Sequence, residues 1–460
     1  MLLKNKLNKV KSFLKSDNVL AKLEERYCYS KDALNQPVDY KIADLVVFVE
    51  TIEEVQKVLK YANEHSIPVV SRGAGTNMVG ACVTTNGGIV LNFSKMNKIL
   101  EVDSVNMTAK VQPGVILGDL KKTVEAKKLF FPPDPSNYKV STIGGAIAQS
   151  SGGAMSLKYG TTKDYVLSLK VVTADGKLMT VGADTQKDAV GYHLGQLMVG
   201  SEGTLGVIVE AVLKLIPKPS FKCAISSYFD TIESAVMATN TILSSQIFPA
   251  TIDFMDNNSI KTAEEYSKIG LNISKECLLI IEIDSYGDDL EYQVNVVQNI
   301  LNKYSSESIV AYDSMQIEKI WDARRISYAA TTRLAPDVIS DDIIVPRDSL
   351  LQMIKGCNEI CSKYNLNLCL VGHLGDGNLH PQIALNLEDD NEFKDYITAK
   401  SQIYDLTISL GGTISAEHGV GVEKLKYLPN TIDNNALEYM KMIKKVFDPK
   451  GILNPGKIFE

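Results

Sequence analysis

Helix-like and strand-like hydrophobic periodicities alternate along this chain of 460 residues, with no fixed-length repeat. Residues 51–65 begin with a threonine N-cap and Glu54 and carry an apolar stripe every three or four positions, which predicts an amphipathic helix. A short apolar run, PVVS, follows at once and predicts a strand. The alternation favours an α/β or α+β protein, and the length favours about two to four domains.

Prolines at positions 217 and 219, after a strand-like run, mark the first predicted domain boundary. Beyond them, residues 225–255 and 278–312 each show a strand–helix–strand pattern. Two such units in succession predict a ferredoxin-like sheet. A last helical stretch precedes the tail ILNPGKIF.

Composition and charge exclude several classes of protein. Hydrophobic residues make up 45% and charged residues 22% of the chain, close to soluble globular averages. The formal charge of −7 is spread without a long block of one sign, so nucleic acid is not expected as a partner. The seven cysteines include no CxxC pair, which predicts reduced thiols and a cytoplasmic protein. No window reaches the roughly 18 apolar residues of a transmembrane segment, and the start does not resemble a signal peptide.

Three glycine-rich segments in the first half bring backbone close to a candidate ligand. Residues 71–80 follow the PVVS strand and would let N–H groups approach an anion, but they match neither a Walker loop nor a nicotinamide fingerprint. Residues 132–160 contain two Gly-Gly pairs, and residues 199–208 form a further turn of small residues. Each segment alone could be an ordinary turn, whereas together they predict a large, extended cofactor.

Three of the five histidines cluster late in the chain, at His373, His380 and His418. His373 and His380 flank the turn LGDGN, which can fold one strand back on the next and bring both imidazoles together. Glu417 supplies a carboxylate and completes the two-histidine, one-carboxylate set that binds zinc or ferrous iron with open coordination positions. We predict a divalent metal site here; the alternative is a hairpin with two hydrogen-bonded histidines.

His418 directly follows the proposed ligand Glu417. Neighbours in an extended strand point to opposite faces, so both can serve one site only if a tight, glycine-flanked turn holds them. His418 is a candidate general base near neutral pH, or else a hydrogen-bonding histidine beside the metal. Arg324 and Arg325 lie in a helical pattern beside the only tryptophan, where they form either a carboxylate site or a solvated basic face.

These motifs, together with SAEHGVG and FDPKGILNPGK near the end of the chain, occur in the order typical of one family. The sequence resembles the FAD-linked oxidoreductases of the vanillyl-alcohol-oxidase type. Within that family it resembles the D-2-hydroxyacid dehydrogenase branch, which contains D-lactate dehydrogenases and a glycolate oxidase subunit. The resemblance runs from about Val38 to Phe459. It implies an α+β fold with a vanillyl-alcohol-oxidase-type FAD-binding domain (38–217) and a ferredoxin-like substrate or cap domain (218–410). A C-terminal segment (411–460) would return to the flavin and complete the metal site, and residues 1–37 would form a helical extension.

The resemblance also implies roles for single residues. His373, His380 and Glu417 match the metal ligands, His418 the catalytic base, Arg324 the anchor of the substrate carboxylate and Asn378 a substrate-facing residue. Residues 72–77 and Gly80 would hold the FAD pyrophosphate. The full set of expected cofactor-binding residues is Arg72, Gly73, Ala74, Gly75, Thr76, Asn77, Gly80, Pro133, Asp134, Pro135, Ser136, Thr142, Gly144, Gly145, Ser151, Gly152, Tyr159, Gly160, Glu202, Gly203, Gly206, Ile208 and Asn454.

The implied reaction is oxidation of a D-2-hydroxyacid, with D-lactate to pyruvate favoured over glycolate and other hydroxyacids. The metal, zinc or iron, would bind the hydroxyl, His418 would take its proton, and the hydride would pass to flavin N5. FAD would be bound non-covalently, because the flavin loop lacks the histidine that tethers it in some members. Ser150 and Ser151 stand where the family often has Asn-Ala.

The sequence contains no second redox motif, so electrons would pass to a separate acceptor. We expect an electron-transferring flavoprotein rather than an iron–sulfur subunit or a quinone, and the lysine-rich residues 1–16 as its docking segment. Two rival functions stay open. One is a non-redox flavoenzyme of the alkyl-glycerone-phosphate synthase kind, and the other is an electron-transfer flavoprotein without its own substrate.

Overall fold

The computed structural model describes residues 2–459, with side chains from residue 7 onward. Residues up to 217 form three sheets with helices packed on them. The strands of this part are β1 (Val19–Leu20), β2 (Leu45–Phe48), β3 (Val69–Arg72), β4 (Ile89–Asn92), β5 (Ile99–Asp103), β6 (Thr108–Val111), β7 (Leu129–Phe130), β8 (Val166–Val172), β9 (Leu178–Gly182), β10 (Val207–Lys214) and β11 (Ile216–Pro217). Its helices are α1 (Leu2–Lys11), α2 (Leu23–Tyr27), α3 (Ile52–His65), α4 (Leu117–Glu125), α5 (Ile143–Gln149), α6 (Ser156–Tyr159) and α7 (Leu194–Met198).

The helix predicted over residues 51–65 is confirmed as α3. Thr51 Oγ1 accepts the Glu54 N–H at 3.2 Å, so the predicted capping box is formed. The buried stripe of α3 packs on the sheet β1-β2-β4-β3, in which β4 pairs in parallel with β2 and β3. Because β3 ends at Arg72, the first glycine-rich segment leaves the sheet at the carboxyl end of parallel strands, the edge at which α/β sheets bind ligands.

The second sheet of this part is antiparallel and carries the third glycine-rich segment. Its strand order is β5-β6-β10-β8-β9. Residues 199–206 lead directly into β10, which runs through the centre of the sheet. The first and third glycine-rich segments therefore come from two different sheets and can face each other.

The second part of the chain is built on one eight-stranded sheet. Its strands are β12 (Phe221–Phe229), β13 (Thr251–Asp256), β14 (Cys277–Ser285), β15 (Glu307–Ala311), β16 (Asp337–Ser340), β17 (Ile343–Ile344), β18 (Asn367–His373) and β19 (Asn378–Leu385). Its helices, with those of the C-terminal segment, are α8 (Ile232–Ser244), α9 (Asn257–Ser267), α10 (Leu290–Tyr304), α11 (Ser314–Thr331), α12 (Leu350–Lys363), α13 (Asp390–Ser409), α14 (Leu428–Thr431) and α15 (Asn434–Phe447).

The strand order confirms the ferredoxin-like prediction. The two strand–helix–strand units, β12–α8–β13 and β14–α10–β15, interleave as β15-β12-β14-β13, with all neighbouring pairs antiparallel. The sheet then continues through β18, β19 and β16. This extension matters for function because it places the hairpin β18–β19 beside the edge of the ferredoxin-like unit.

Residues near both ends of the described range, 2–459, pack on the three sheets formed by residues up to 217. Leu453 bridges Val69 of β3, and the Asn454 N–H donates to the Val69 carbonyl at 2.8 Å, so the tail returns to the first glycine-rich segment. At the other end β1 pairs with β2, and Val10 is fully buried against the core beneath α3. The predicted N-terminal extension therefore contributes a strand and core side chains to this domain. No helix among residues 2–459 is both long and apolar enough to cross a membrane.

Candidate active site

The hairpin β18–β19 brings the predicted metal ligands together. His373 lies opposite Asn378 and His380 lies opposite Val371, so the three polar side chains share one face of the sheet. The two imidazole centroids are 5.2 Å apart. The expectation that LGDGN folds one histidine strand onto the other is confirmed.

Each histidine is oriented through its Nδ1 atom. His373 Nδ1 lies 2.6 Å from the Asp253 Oδ1 atom, and His380 Nδ1 lies 3.2 Å from the Asp341 carbonyl oxygen. Acceptors at Nδ1 hold the proton there and leave both Nε2 atoms free. The Nε2 atom of His373 lies 3.8 Å, and that of His380 lies 3.5 Å, from the same Glu417 Oε1 atom. A metal site typically has this arrangement: imidazole nitrogens face a carboxylate oxygen, and each ring is oriented by an acceptor at its other nitrogen.

The local electrostatics also suit a cation. Burial alone would lower the pKa of His373, but the charges of Asp253 and Glu417 raise it well above 6.5. Burial and the neighbouring charge of His373 lower the pKa of His380 to about 4. Burial acts to raise the pKa of Glu417, yet the neighbouring histidines hold it below 4.5. At neutral pH the cluster therefore offers a neutral His380 and a charged Glu417, and a cation would displace the proton from His373.

The turn at residues 415–421 places Glu417 and His418 on the same side. The ring of His418 stacks on that of His380 with centroids 5.3 Å apart and planes 16° apart. His418 Nε2 lies 4.0 Å from Glu417 Oε1. The backbone here is a non-helical turn rather than a strand, which removes the conflict that an extended chain would create. Gly152 leaves room for this turn, because a Cβ there would lie 2.8 Å from Glu417 Oε2.

Arg324 reaches the same cluster from helix α11. Its Nε atom lies 2.9 Å from Asp253 Oδ2, but the N–H is not aimed at the oxygen, so the contact is an ion pair rather than a hydrogen bond. Asp253 thus lies between Arg324 and His373, and it is itself 1% exposed. Arg325 instead pairs with Glu318 at 2.6 Å on the exposed side of the helix.

A cavity that is partly open to solvent adjoins the cluster. All three glycine-rich segments contribute to its wall, as expected for an extended cofactor. Glu417 and His418 also line it. The predicted cofactor residues that line it are Arg72, Gly73, Ala74, Gly75, Thr76, Asn77, Pro135, Ser136, Thr142, Gly144, Gly145, Ser151, Glu202, Gly203, Gly206 and Ile208.

The remaining predicted cofactor residues do not line this cavity; they are Gly80, Pro133, Asp134, Gly152, Tyr159, Gly160 and Asn454. Some of them have other contacts. The Tyr159 hydroxyl donates to Asp284 Oδ2 at 2.6 Å and joins α6 to strand β14 of the eight-stranded sheet. Asp134 Oδ1 accepts the Met155 N–H, and burial raises the pKa of this carboxyl to about 7. Direct contact of these residues with FAD stays a prediction.

Arg72 and Gly75 show how the first glycine-rich segment is held. The Arg72 Nη1 atom donates to the Lys31 carbonyl at 2.6 Å, and the guanidinium lies over the Tyr29 ring. Gly75 has a φ of +73°, which favours glycine, and a Cβ there would lie 2.0 Å from Arg72 Nη2, so another residue would strain the backbone and displace the guanidinium. Residues 29–31, from the predicted N-terminal extension, therefore brace the segment that faces the cavity.

Several residues of the site were not predicted from the sequence. Gln149 and Ser141 line the cavity, and the Gln149 Oε1 and Ser141 Oγ atoms have no hydrogen-bond partner among the described residues. Both lie within the glycine-rich residues 132–160, so their polarity inside that segment was an available signal. Asp253 and Asp342 belong to no motif, and nothing in the local sequence distinguishes them. The other unpredicted lining residues are Ser71, Met78, Ala81, Cys82, Phe93, Pro113, Asn137, Ala146, Ala148 and Ser201.

The residues present fit both FAD and a divalent metal ion, the two groups that the motifs imply. Buried, unpartnered polar atoms on a cavity built from three glycine-rich segments suit a polar, extended cofactor such as FAD. His373, His380 and Glu417 place three donor atoms within 4.8 Å of one another, the two-histidine, one-carboxylate set of zinc and iron sites. Asp342, His380 and His418 also place three donor atoms within 4.8 Å of one another.

Comparison with known proteins agrees with this site. The family model described as "FAD binding domain" matches residues 43–182, and the model described as "FAD linked oxidases, C-terminal domain" matches residues 218–458. Glycolate oxidase subunit GlcD of Bacillus subtilis is 42% identical over 435 residues, 94% of this chain and 92% of that protein. A D-lactate dehydrogenase of Archaeoglobus fulgidus is 36% identical over 417 residues, 90% of this chain and 91% of that protein.

Solved structures show the same fold at low identity. p-Cresol methylhydroxylase superposes with a TM-score of 0.84 at 16% identity, covering 99% of this chain and 96% of that one. Alkyldihydroxyacetonephosphate synthase superposes with a TM-score of 0.77 at 23% identity, covering 99% and 85%. The two family models and the two relatives show that the chain belongs to the FAD-linked oxidoreductases of the vanillyl-alcohol-oxidase type, and it is an FAD-dependent enzyme. Its relatives place it in the D-2-hydroxyacid dehydrogenase branch of that family.

Proposed function

We propose that this enzyme oxidises a D-2-hydroxyacid, with D-lactate to pyruvate as the preferred reaction. One observation carries the proposal: Glu417 and His418 belong both to the histidine cluster and to the wall of the cofactor cavity. A small substrate held at the cluster would therefore face the flavin. Relatives named glycolate oxidase subunit and D-lactate dehydrogenase support a 2-hydroxyacid as the substrate.

The cavity lined by Glu417 and His418 would hold FAD, which would supply the acceptor for the hydride of the carbon that carries the hydroxyl. A divalent cation held by His373, His380 and Glu417 would polarise that hydroxyl and lower its pKa. His418 is the candidate base, because imidazole accepts a proton near neutral pH and its ring lies over His380 beside Glu417. Its side chain is 20% exposed, so the accepted proton has a path to solvent.

Arg324 and Asn378 are the candidate substrate-binding residues. Arg324 presents a guanidinium that is 16% exposed at the edge of the cluster, where a substrate carboxylate could share it with Asp253. Both amide hydrogens of Asn378 are used, by Asp342 Oδ1 and by the Ile343 carbonyl, each at 2.9 Å. Asn378 would therefore contact substrate only through its Oδ1 atom, as a hydrogen-bond acceptor.

The decisive experiment is anaerobic reduction of the bound flavin by a panel of D- and L-2-hydroxyacids, including glycolate, with metal measured on the same sample. We expect D-lactate to bleach the flavin, and chelation of the metal to abolish this while FAD stays bound. His380→Asn should lose metal and flavin reduction together. His193→Asn is the matched control, because His193 is exposed at the start of α7, away from the cluster.

Three results would contradict the proposal in different ways. Full activity of a metal-free protein would remove the metal from the mechanism. A flavin that every hydroxyacid leaves oxidised would favour an electron-transfer role instead. Activity only with an acylated or alkylated glycerone phosphate would favour the chemistry of the synthase whose fold the chain shares.

The electron acceptor is proposed to be a separate protein, with an electron-transferring flavoprotein favoured over an iron–sulfur subunit or a quinone. The name "subunit" of one relative supports a partner chain. Lys9 at the end of α1 is exposed and Lys11 is half-buried, while Val10 between them is buried, so the two lysines are candidates for docking an acidic surface. Lys9→Glu with Lys11→Glu should slow transfer to the acceptor at low salt and leave D-lactate reduction unchanged. Equal transfer rates would refute this docking site.

A further inference from the structure

The turn that carries Glu417 and His418 is held by one carboxylate from a distant part of the sequence. Asp342 Oδ2 accepts the backbone N–H groups of Ala416 (2.8 Å), Glu417 (2.9 Å) and His418 (2.8 Å). The Ser415 hydroxyl donates to the same oxygen at 3.0 Å. Asp342 itself is fully buried. Four donors therefore converge on a single atom beneath the active-site turn.

This convergence explains how two consecutive residues serve one site. Three successive N–H groups can meet at one acceptor only where the backbone curls around it, since those of an extended strand point alternately to opposite sides. The same curl turns the neighbouring side chains of Glu417 and His418 toward a common side. Their facing atoms lie 4.0 Å apart, and both adjoin His380.

The other oxygen of Asp342 fixes the turn to the histidine hairpin. Oδ1 accepts the Asn378 amide at 2.9 Å, and Asn378 lies opposite His373 in the β18–β19 ladder. One carboxylate thus joins the strand that presents His380 to the turn that presents Glu417. The distance between the two halves of the metal site depends on this bridge.

We propose that Asp342 is a positioning residue, which sets the geometry of Glu417 and His418 against the histidine hairpin without itself binding the cation. Asp342 lies close enough to His380 and His418 to form an alternative metal triad. However, its Oδ2 atom is surrounded by four donors and its Oδ1 atom is engaged by Asn378. This inference rests on the proposed metal site but concerns a residue outside the proposed ligand set.

The test compares Asp342→Asn with a matched control, Asp256→Asn, in the FAD-loaded protein. Asp256 is also a buried carboxylate of the cap domain, where it accepts the Ser259 N–H at 2.8 Å as the N-cap of α9. Two quantities are measured: amide hydrogen exchange of a peptide spanning residues 413–421, and Zn²⁺ affinity by competition with a chromophoric chelator. Neither measurement depends on turnover.

We expect Asp342→Asn to speed exchange at residues 416–418 by at least about tenfold, because an uncharged amide oxygen cannot hold the converging N–H groups as firmly. Zn²⁺ affinity should fall roughly 10–100-fold, the usual effect of removing a group that orients ligands. Asp256→Asn should change neither quantity. Loss of zinc with unchanged exchange would make Asp342 a ligand and overturn the proposal. Faster exchange with undiminished zinc affinity would overturn it as well.

Failure of the proposed function is distinguishable from failure of this inference. If the unmodified protein binds no Zn²⁺, the proposed metal site is wrong. The role of Asp342 is then decided by comparing Asp342→Asn with Asp256→Asn in amide exchange and in the rate of flavin reduction by D-lactate. If Asp342→Asn does not fold, Ser415→Ala replaces it, since this change removes the hydroxyl donor to Oδ2, together with the acceptor of the Gly419 N–H. A several-fold shift in the same two quantities is then expected, and no shift would overturn the proposal.

Discussion

Substitution of Asn454 should lower the stability of the protein and its affinity for FAD, because this side chain holds two segments of the cavity wall. The Asn454 side chain is 2% exposed, and its Nδ2 atom donates to the Ala81 carbonyl at 2.9 Å and to the Glu202 carbonyl at 2.6 Å. Both residues line the cavity: Ala81 directly follows the first glycine-rich segment, and Glu202 belongs to the third. One amide therefore ties both segments to the C-terminal tail. Asn454 also has a φ of +43°, in the left-handed region that asparagine tolerates.

The magnitude follows from these contacts. Asn454→Ala leaves two buried carbonyl groups without this donor, at about 1–3 kcal/mol each. It also places alanine in the left-handed region, at about 1–2 kcal/mol. The total, about 3–8 kcal/mol, is a large part of the 5–15 kcal/mol by which a typical domain is stable. Asn454→Gly loses the same hydrogen bonds without the backbone strain, so it should be about 1–2 kcal/mol more stable than Asn454→Ala.

The assay is urea unfolding of both variants, followed by circular dichroism and by FAD fluorescence, with FAD affinity measured separately. We expect the order wild type, Asn454→Gly, Asn454→Ala in unfolding midpoint, and weaker FAD binding in both variants. The reasoning would be refuted by an Asn454→Ala protein as stable as the wild type, or by an Asn454→Gly protein less stable than Asn454→Ala. Weaker FAD binding with unchanged unfolding of the apoprotein would instead support direct contact between Asn454 and FAD.

Three further outcomes are expected. His418→Ala should lower the rate of flavin reduction by roughly 10²–10⁴ in stopped-flow measurements without loss of metal; an unchanged rate would remove its role as base. Arg324→Ala should chiefly raise the KM for D-lactate, because a charge-assisted carboxylate contact is lost, and an unchanged KM would refute the anchor role. Burial raises the pKa of Glu202 from 4.5 to about 7, so the stability that this group contributes is present below about pH 4.5 and is lost as the pH rises through about 7. In the wild type, ionisation of Glu202 should lower the free energy of unfolding by about 3 kcal/mol as the pH rises, and Glu202→Gln should abolish this decrease. The urea midpoints of the variant should therefore differ less between about pH 5 and about pH 8 than those of the wild type.

The sequence alone determined the parts of the protein that local interactions specify. Helix α3 forms from its threonine cap and apolar stripe, both of which act within a few residues. The pairing of His373 with the strand of His380 follows from the short turn between them, because a hairpin turn fixes the register of its own strands. The two strand–helix–strand units were also readable, since each is a compact local pattern.

Only the tertiary structure decided which distant groups complete the site. Asp253 faces His373 because β13 and β18 are neighbours in the eight-stranded sheet, and hydrophobic periodicity says nothing about strand order. Asp342 reaches the turn at residues 415–418, and Asn454 reaches two segments of the cavity wall, through contacts between residues far apart in sequence. Residues 29–31, read from sequence as an extension, brace Arg72. The sequence predicted the candidate metal ligands and the candidate base, whereas the carboxylates and amides that orient them depend on long-range packing, which leaves no local pattern.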